Sequence, residues 1–338
     1  MSDPTANPAH LISSDRLREL SDGGWLYKFL ERYPNIKTLQ AGAEDALLQG
    51  GIDMHVHADP CSLVPRNQDY TQVAIDAARA GMRAVVRKDH FYSTVGEAIA
   101  IQRHMDHLVE TGVLARRVEV FGGIPLSASL DPARIQRAVR FDAFKMIWCN
   151  PVGGDPLVED GKVRPEMERI LQLATEHGVG LNLGQPSHSK EKNAGISDYD
   201  GLMPIVERVE ALGTRAVLDH PLSSFNLDQI EALMGDTIHV GLFAYPSLPS
   251  VIKAPVVDPE RTLEAVQRLG ARRCLVATDV GMLLEPTALE AFRMMIRLLL
   301  VLGIPPEDVA PMVRDNPAHL LGLPAWAPPS DTPSNGGT

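Results

Sequence analysis

From residue 51 onward, eight short apolar runs alternate with stretches of helical period, and this alternation constrains the fold more than any other feature. The runs are GIDMHVH (51–57), MRAVVRKDH (82–90), RVEVFGGI (117–124), DAFKMIWCN (142–150), VGLNLG (179–184), RAVLDH (215–220), TIHVGLF (237–243) and RCLVATDV (273–280). Segments such as TQVAIDAARAG, VGEAIAIQRHMDHLVETG and PEMERILQLATEHG between them place apolar residues three or four apart, as helices do. Several end at a glycine, among them Gly81, Gly112, Gly178, Gly213 and Gly270, a common helix stop. Strands that alternate with helices form a parallel sheet. Eight such units across about 250 residues match an α/β fold, the closed (β/α)8 TIM barrel. An open doubly wound sheet is the alternative. The expected organisation is an N-terminal helical extension over 1–50, one barrel over 51–322, and a flexible Pro- and Ser-rich tail over 323–338.

Lys and Arg number 32 against 43 Asp and Glu, a net charge of −11, which repels phosphate backbones and anionic lipid. The expected partner is therefore a small molecule, with no nucleic acid and no membrane. Apolar outer helices suit a homo-oligomer. Three scattered cysteines (Cys61, Cys149, Cys274) form no disulfide framework, and the first residues lack the order of a signal peptide. Both features point to the cytoplasm.

Active groups of such a barrel lie at the C-terminal ends of its strands. The ionisable residues there are His55 and His57, Lys88 and His90, Lys145, His188 just beyond the fifth strand, His220 and Asp279. His55 and His57 are two apart, so alternation points both imidazoles the same way, and a neutral pair suits zinc. Asp279 ends the last strand, which a closed barrel brings beside the first. There it can join the histidines on a metal and take a proton from water, although Asp after a strand also suits a helix N-cap. Asp219, beside His220, is expected to face the other way. Lys88 and His90 share a face and can bind a substrate carboxylate.

This set resembles the amidohydrolase superfamily, which includes dihydroorotase, hydantoinase and phosphotriesterase. The resemblance rests on His55 and His57 after the first strand, Lys145 on the fourth, His188 near the fifth, His220 on the sixth and Asp279 on the eighth. It spans residues 51–280, and NPAHLLGL (316–323) resembles that superfamily's C-terminal helix. The chain is most similar to a small single-domain branch without the extra β-sandwich of hydantoinases. The resemblance implies a hydrolase with one or two divalent ions, most often zinc, with manganese or another divalent as substitutes. His55, His57 and Asp279 would hold the first ion, His188 and His220 the second, with a carbamylated lysine bridging them.

Lys145 takes the bridging role by its place on the fourth strand, with Lys88 as its rival. His188 lies four residues past Gly184, and Gln185 is the competing occupant of the strand-five position. Tyr245, Arg87 and Trp148 reach the pocket by strand-end position alone. The expected reaction cleaves a C–N amide or cyclic amide, or a lactone or ester, of a small anionic substrate, with Asp279 as the catalytic proton carrier. The alternatives are a mononuclear decarboxylase or deaminase of the same fold, and a non-catalytic barrel.

Overall fold

The computed structural model describes residues 30–127, 129–150, 155–184, 199–251 and 253–327. Its strands are the apolar runs read from the sequence: β1 (Ile52–Val56), β2 (Ala84–Arg87), β3 (Glu119–Pro125), β4 (Phe144–Cys149), β5 (Gly180–Leu183), β6 (Ala216–Leu218), β7 (Ile238–Phe243) and β8 (Cys274–Ala277). Nearly every residue in them is buried, as expected of strands covered on both faces. They pair in sequence order from β1 to β8, all parallel.

Eight helices cover the strands: α1 (Tyr70–Arg79), α2 (Val95–Glu110), α3 (Pro132–Ala138), α4 (Pro165–His177), α5 (Tyr199–Leu212), α6 (Leu227–Leu233), α7 (Pro259–Leu269) and α8 (Ala288–Val301). Their starts follow cap chemistry. Asp69, Asp131, Asn226, Asp258 and Thr287 each accept a hydrogen bond from a backbone N–H of the first turn. Gly178 ends α4 with φ +64, a conformation that costs other residues a steric penalty. A small hairpin (Val158–Glu159 with Lys162–Val163) fills the β4–α4 connection.

The sheet closes between β8 and β1, which excludes the open doubly wound alternative. Past the end of β8, Asp279 N–H donates to the His55 carbonyl (2.8 Å) and His57 N–H to that of Val280 (3.3 Å). Deeper in the seam the Asp53 carboxylate accepts from the Thr278 N–H (3.1 Å) and hydroxyl (2.6 Å). The barrel interior is apolar, with Ile52, Met54, Val86, Met146, Val217 and Leu275 among its residues. Ala318, Leu320 and Leu321, all in the NPAHLLGL motif, join that cluster from the last helical segment, Asp315–Leu320, and its C-cap. The expected N-terminal extension is described from residue 30, with a short helix at Asp45–Leu48. The segments 1–29 and 328–338 lie outside the described residues. No helix among the described residues is long and apolar enough to cross a membrane.

Candidate active site

At the C-terminal mouth of the barrel, Asp279 is surrounded by three imidazoles. Its Oδ1 lies 3.0 Å from His55 Nε2 and 2.8 Å from His57 Nε2, and its Oδ2 lies 2.7 Å from His220 Nε2. The two-residue spacing on β1 delivers His55 and His57 together, as the sequence implied. Backbone strain delivers the other two. His220 (φ +48) and Asp279 (φ +53) hold the left-handed conformation just past their strands, which costs non-glycine residues of order 1–3 kcal/mol. Among the described residues only Asp160, in the hairpin turn, does the same without being glycine.

The turn at His220 also overturns the expectation for Asp219. Asp219 lies two residues after Val217, which faces the barrel interior, and so keeps the inward phase of β6, while His220 leaves the alternation with its left-handed backbone. Its carboxylate turns inward, 3.8 Å from His55 Nδ1 and 3.6 Å from His220 Nε2, and accepts from Asn182 Nδ2 at 3.2 Å. Asp219 is thus a second buried carboxylate at the mouth.

Aromatic rings wall the cluster. Phe243 and Trp148 lie edge-on to His55 at 5.3 and 6.1 Å, and Phe243 also packs on His220. His90 stacks on His57 with centroids 4.7 Å apart and planes 13° from parallel. Burial pushes His55 and His57 towards the neutral imidazole, and burial with the Lys88 charge pushes His90 down to about 4. Burial opposes the charged form of His220 too, but Asp219 and Asp279 outweigh it and raise its pKa. Burial would likewise raise Asp279, but His55 and His220 hold it well below the ordinary carboxylate range.

This donor set fits a divalent cation. His55, His57 and Asp279 each offer one ligand atom, all within 4.8 Å of one another, and they are the one such group among the described residues. Both nitrogens of buried His55 lack a well-formed hydrogen bond. Neutral imidazole nitrogens and a carboxylate oxygen are the donors that zinc and similar ions take. Trp148 Nε1, Asn182 Oδ1, His90 Nδ1 and His220 Nδ1 are also buried without partners, which marks the mouth as a place built for a guest.

The structure separates the two candidate lysines. Lys145 is the second residue of β4, beside a register shift against β3, with its Nζ 5.5 Å from the centre of the Phe121 ring. None of its described contacts joins the cluster. The interior position of β4 nearest His55 belongs to Trp148. Lys88, one residue past β2, is buried, and its charge is felt by His55, His57, His90 and Asp219. Arg87 turns away instead, donating to the Ala58 carbonyl (3.0 Å) and pairing with Glu97. Tyr245 does reach the mouth, its ring 6.2 Å from His220. His188 and Gln185 lie outside the described residues. Sequence reasoning missed Arg66, beside His57, and Asn182, which donates to Asp219: the first sits in a loop, where no periodicity marks it, and the second is one polar residue inside an apolar strand.

Fold and site together define the class: a (β/α)8 barrel with histidines and a carboxylate converging at the mouth. The chain belongs to a family of unknown function, DUF6282, whose profile matches residues 50–240, more than half of its length. No curated protein matches it. Among solved structures it is similar to a probable 2-pyrone-4,6-dicarboxylic acid hydrolase from Acinetobacter baumannii with citric acid bound. That likeness has a TM-score of 0.52 and 11% identity, over 81% of this chain and 100% of the other. It is also similar to a mutant of a PTE-like lactonase from Deinococcus radiodurans, with a TM-score of 0.51 and 17% identity, over 82% and 97%. At such identities the likeness is one of fold.

Proposed function

We propose that the protein is a metal-dependent hydrolase that opens a C–N amide or cyclic amide, or a lactone or ester, in a small anionic substrate. The carrying observation is Asp279 set between the Nε2 atoms of His55, His57 and His220 in a buried mouth. His55, His57 and Asp279 would hold a divalent ion, most often zinc, which would supply a water of pKa about 7 and polarise a carbonyl oxygen. Asp279 takes the proton that water loses as its oxygen bonds to the carbonyl carbon. It then returns that proton to the leaving nitrogen or oxygen as the scissile bond breaks. His220, against Asp279 Oδ2, steadies the carboxylate in both protonation states; a second ion would draw on His220 as well. Lys88 and His90 face the substrate's negative charge.

The test is metal analysis of the purified protein, followed by chelation and reconstitution with zinc or manganese. Hydrolysis is then assayed on a panel of cyclic amides, lactones and esters that carry a carboxylate. Stoichiometric metal and restored ring opening are expected. A protein without bound metal, which neither ion makes active, would sink the proposal. A second reading, decarboxylation at a single ion, is favoured by one observation: the described metal group holds three residues, His55, His57 and Asp279, enough for one ion. One equivalent of metal with release of CO2 would select it.

A further inference from the structure

Among the described residues three cationic side chains are buried: Arg66, Arg87 and Lys88. A buried charge is costly unless it is paired. Arg87 is paired, with Glu97 and with the carbonyls of Ala58 and Pro60. Arg66 is 7% exposed and meets no carboxylate of the described residues. Its one side-chain contact runs from NH2 to His57 Nδ1 at 3.4 Å, and its Nε is buried with no partner. A guanidinium has five N–H donors, so most of its capacity is unspent.

The position of Arg66 is fixed by the fold. Its backbone N–H donates to Asp59 Oδ2 at 3.1 Å, and the residue bridges Met282 in the loop after β8. The next residue, Asn67, donates to the Gly281 carbonyl at 2.9 Å. These bonds hold the guanidinium beside His57, one imidazole ring away from Asp279. Lys88 adds a point charge, but only Arg66 has the planar fork that matches a carboxylate at two points.

We propose that Arg66 is the specificity residue of this site, binding a substrate carboxylate that lies a few bonds from the carbonyl under attack. The inference rests on the hydrolase reading and narrows its substrates to small carboxylic acids.

The test titrates the full chain calorimetrically with succinate and with neutral succinamide, first stripped of metal and then reloaded with zinc. Wild type is expected to prefer succinate to succinamide. Arg66→Gln should weaken succinate roughly tenfold or more, the usual worth of a charge-assisted bond. Arg66→Lys, which keeps the charge without the fork, should fall between and covers the case in which Arg66→Gln fails to fold. Succinamide binding, zinc stoichiometry and Tm should match wild type. Equal succinate affinity in wild type and both variants, or no preference for succinate in wild type, overturns the proposal. Wild type without zinc would sink the hydrolase reading alone, since the metal-free titrations still report on Arg66.

Discussion

Asp279 unites what the sequence and the backbone each contribute at the scale of single residues. Its place after β8 is legible in LVATDVG, but its reach to three imidazoles depends on a left-handed backbone that no sequence pattern announces. The same holds for His220. Alternation is a property of extended backbone, so it still carries Asp219 inward in phase with Val217 and fails at His220, where the backbone turns left-handed. It succeeds for His55 and His57, and it places Lys88 inward and Arg87 outward on β2. Asp279→Asn removes the anionic ligand and the proton carrier together. Zinc affinity should then drop by more than the roughly 10–100-fold that altering an outer partner costs, as read by competition with a chromogenic chelator. An unchanged affinity would show that Asp279 does not hold the ion.

The elements are where sequence reading was surest. Each apolar run became a strand and each long periodic segment a helix, because burial on both faces and amphipathic packing are written directly in residue order. The loops between them carry the functional detail, and they are held by side-chain bonds that periodicity does not reveal. Asp89 is an example: its carboxylate accepts from the Ser62 N–H and hydroxyl and from the N–H groups of Phe91 and Tyr92, joining the loops after β1 and β2. Burial works to raise its pKa, but these four bonds outweigh burial and hold it at about 2. A depressed folded-state pKa stabilises the protein fully above the unfolded value of about 3.9, and the gain is lost as pH falls through about 2. Asp89→Asn should therefore lower Tm near neutral pH. The gap to wild type should close between about pH 4 and pH 2, which a Tm series across that range would check. A gap that stays constant with pH would contradict the assignment.

For the whole molecule the deciding feature is closure. Asp53 lies within an apolar run, and only the closed barrel reveals its use: burial raises its carboxyl to about 7 while the Thr278 N–H and hydroxyl donate to it across the seam. Asp53→Ala would take the side-chain acceptor from two buried N–H groups, those of Thr278 and His55, at about 1–3 kcal/mol each, while the Thr278 hydroxyl keeps the His55 carbonyl. Urea denaturation should show at least the lower figure, and Asp53→Asn should cost less. A change within experimental error would mean that the seam is held by backbone bonds alone.

The eight-fold alternation, the strand-end histidines and the last-strand carboxylate were all determined by the sequence itself, because each depends on local order and on the one rule that barrels gather their strand ends. Strand membership alone does not rank Lys145 against Lys88, because it does not say how near the mouth a residue lies: Lys145 sits at the start of β4, three residues short of Trp148. Which residues face inward once the strands stop, and which buried cation meets no carboxylate among the described residues, only the tertiary structure decided. Both depend on where the closed barrel sets groups that are far apart in the chain, such as Asp53 and Thr278 or Arg66 and Met282.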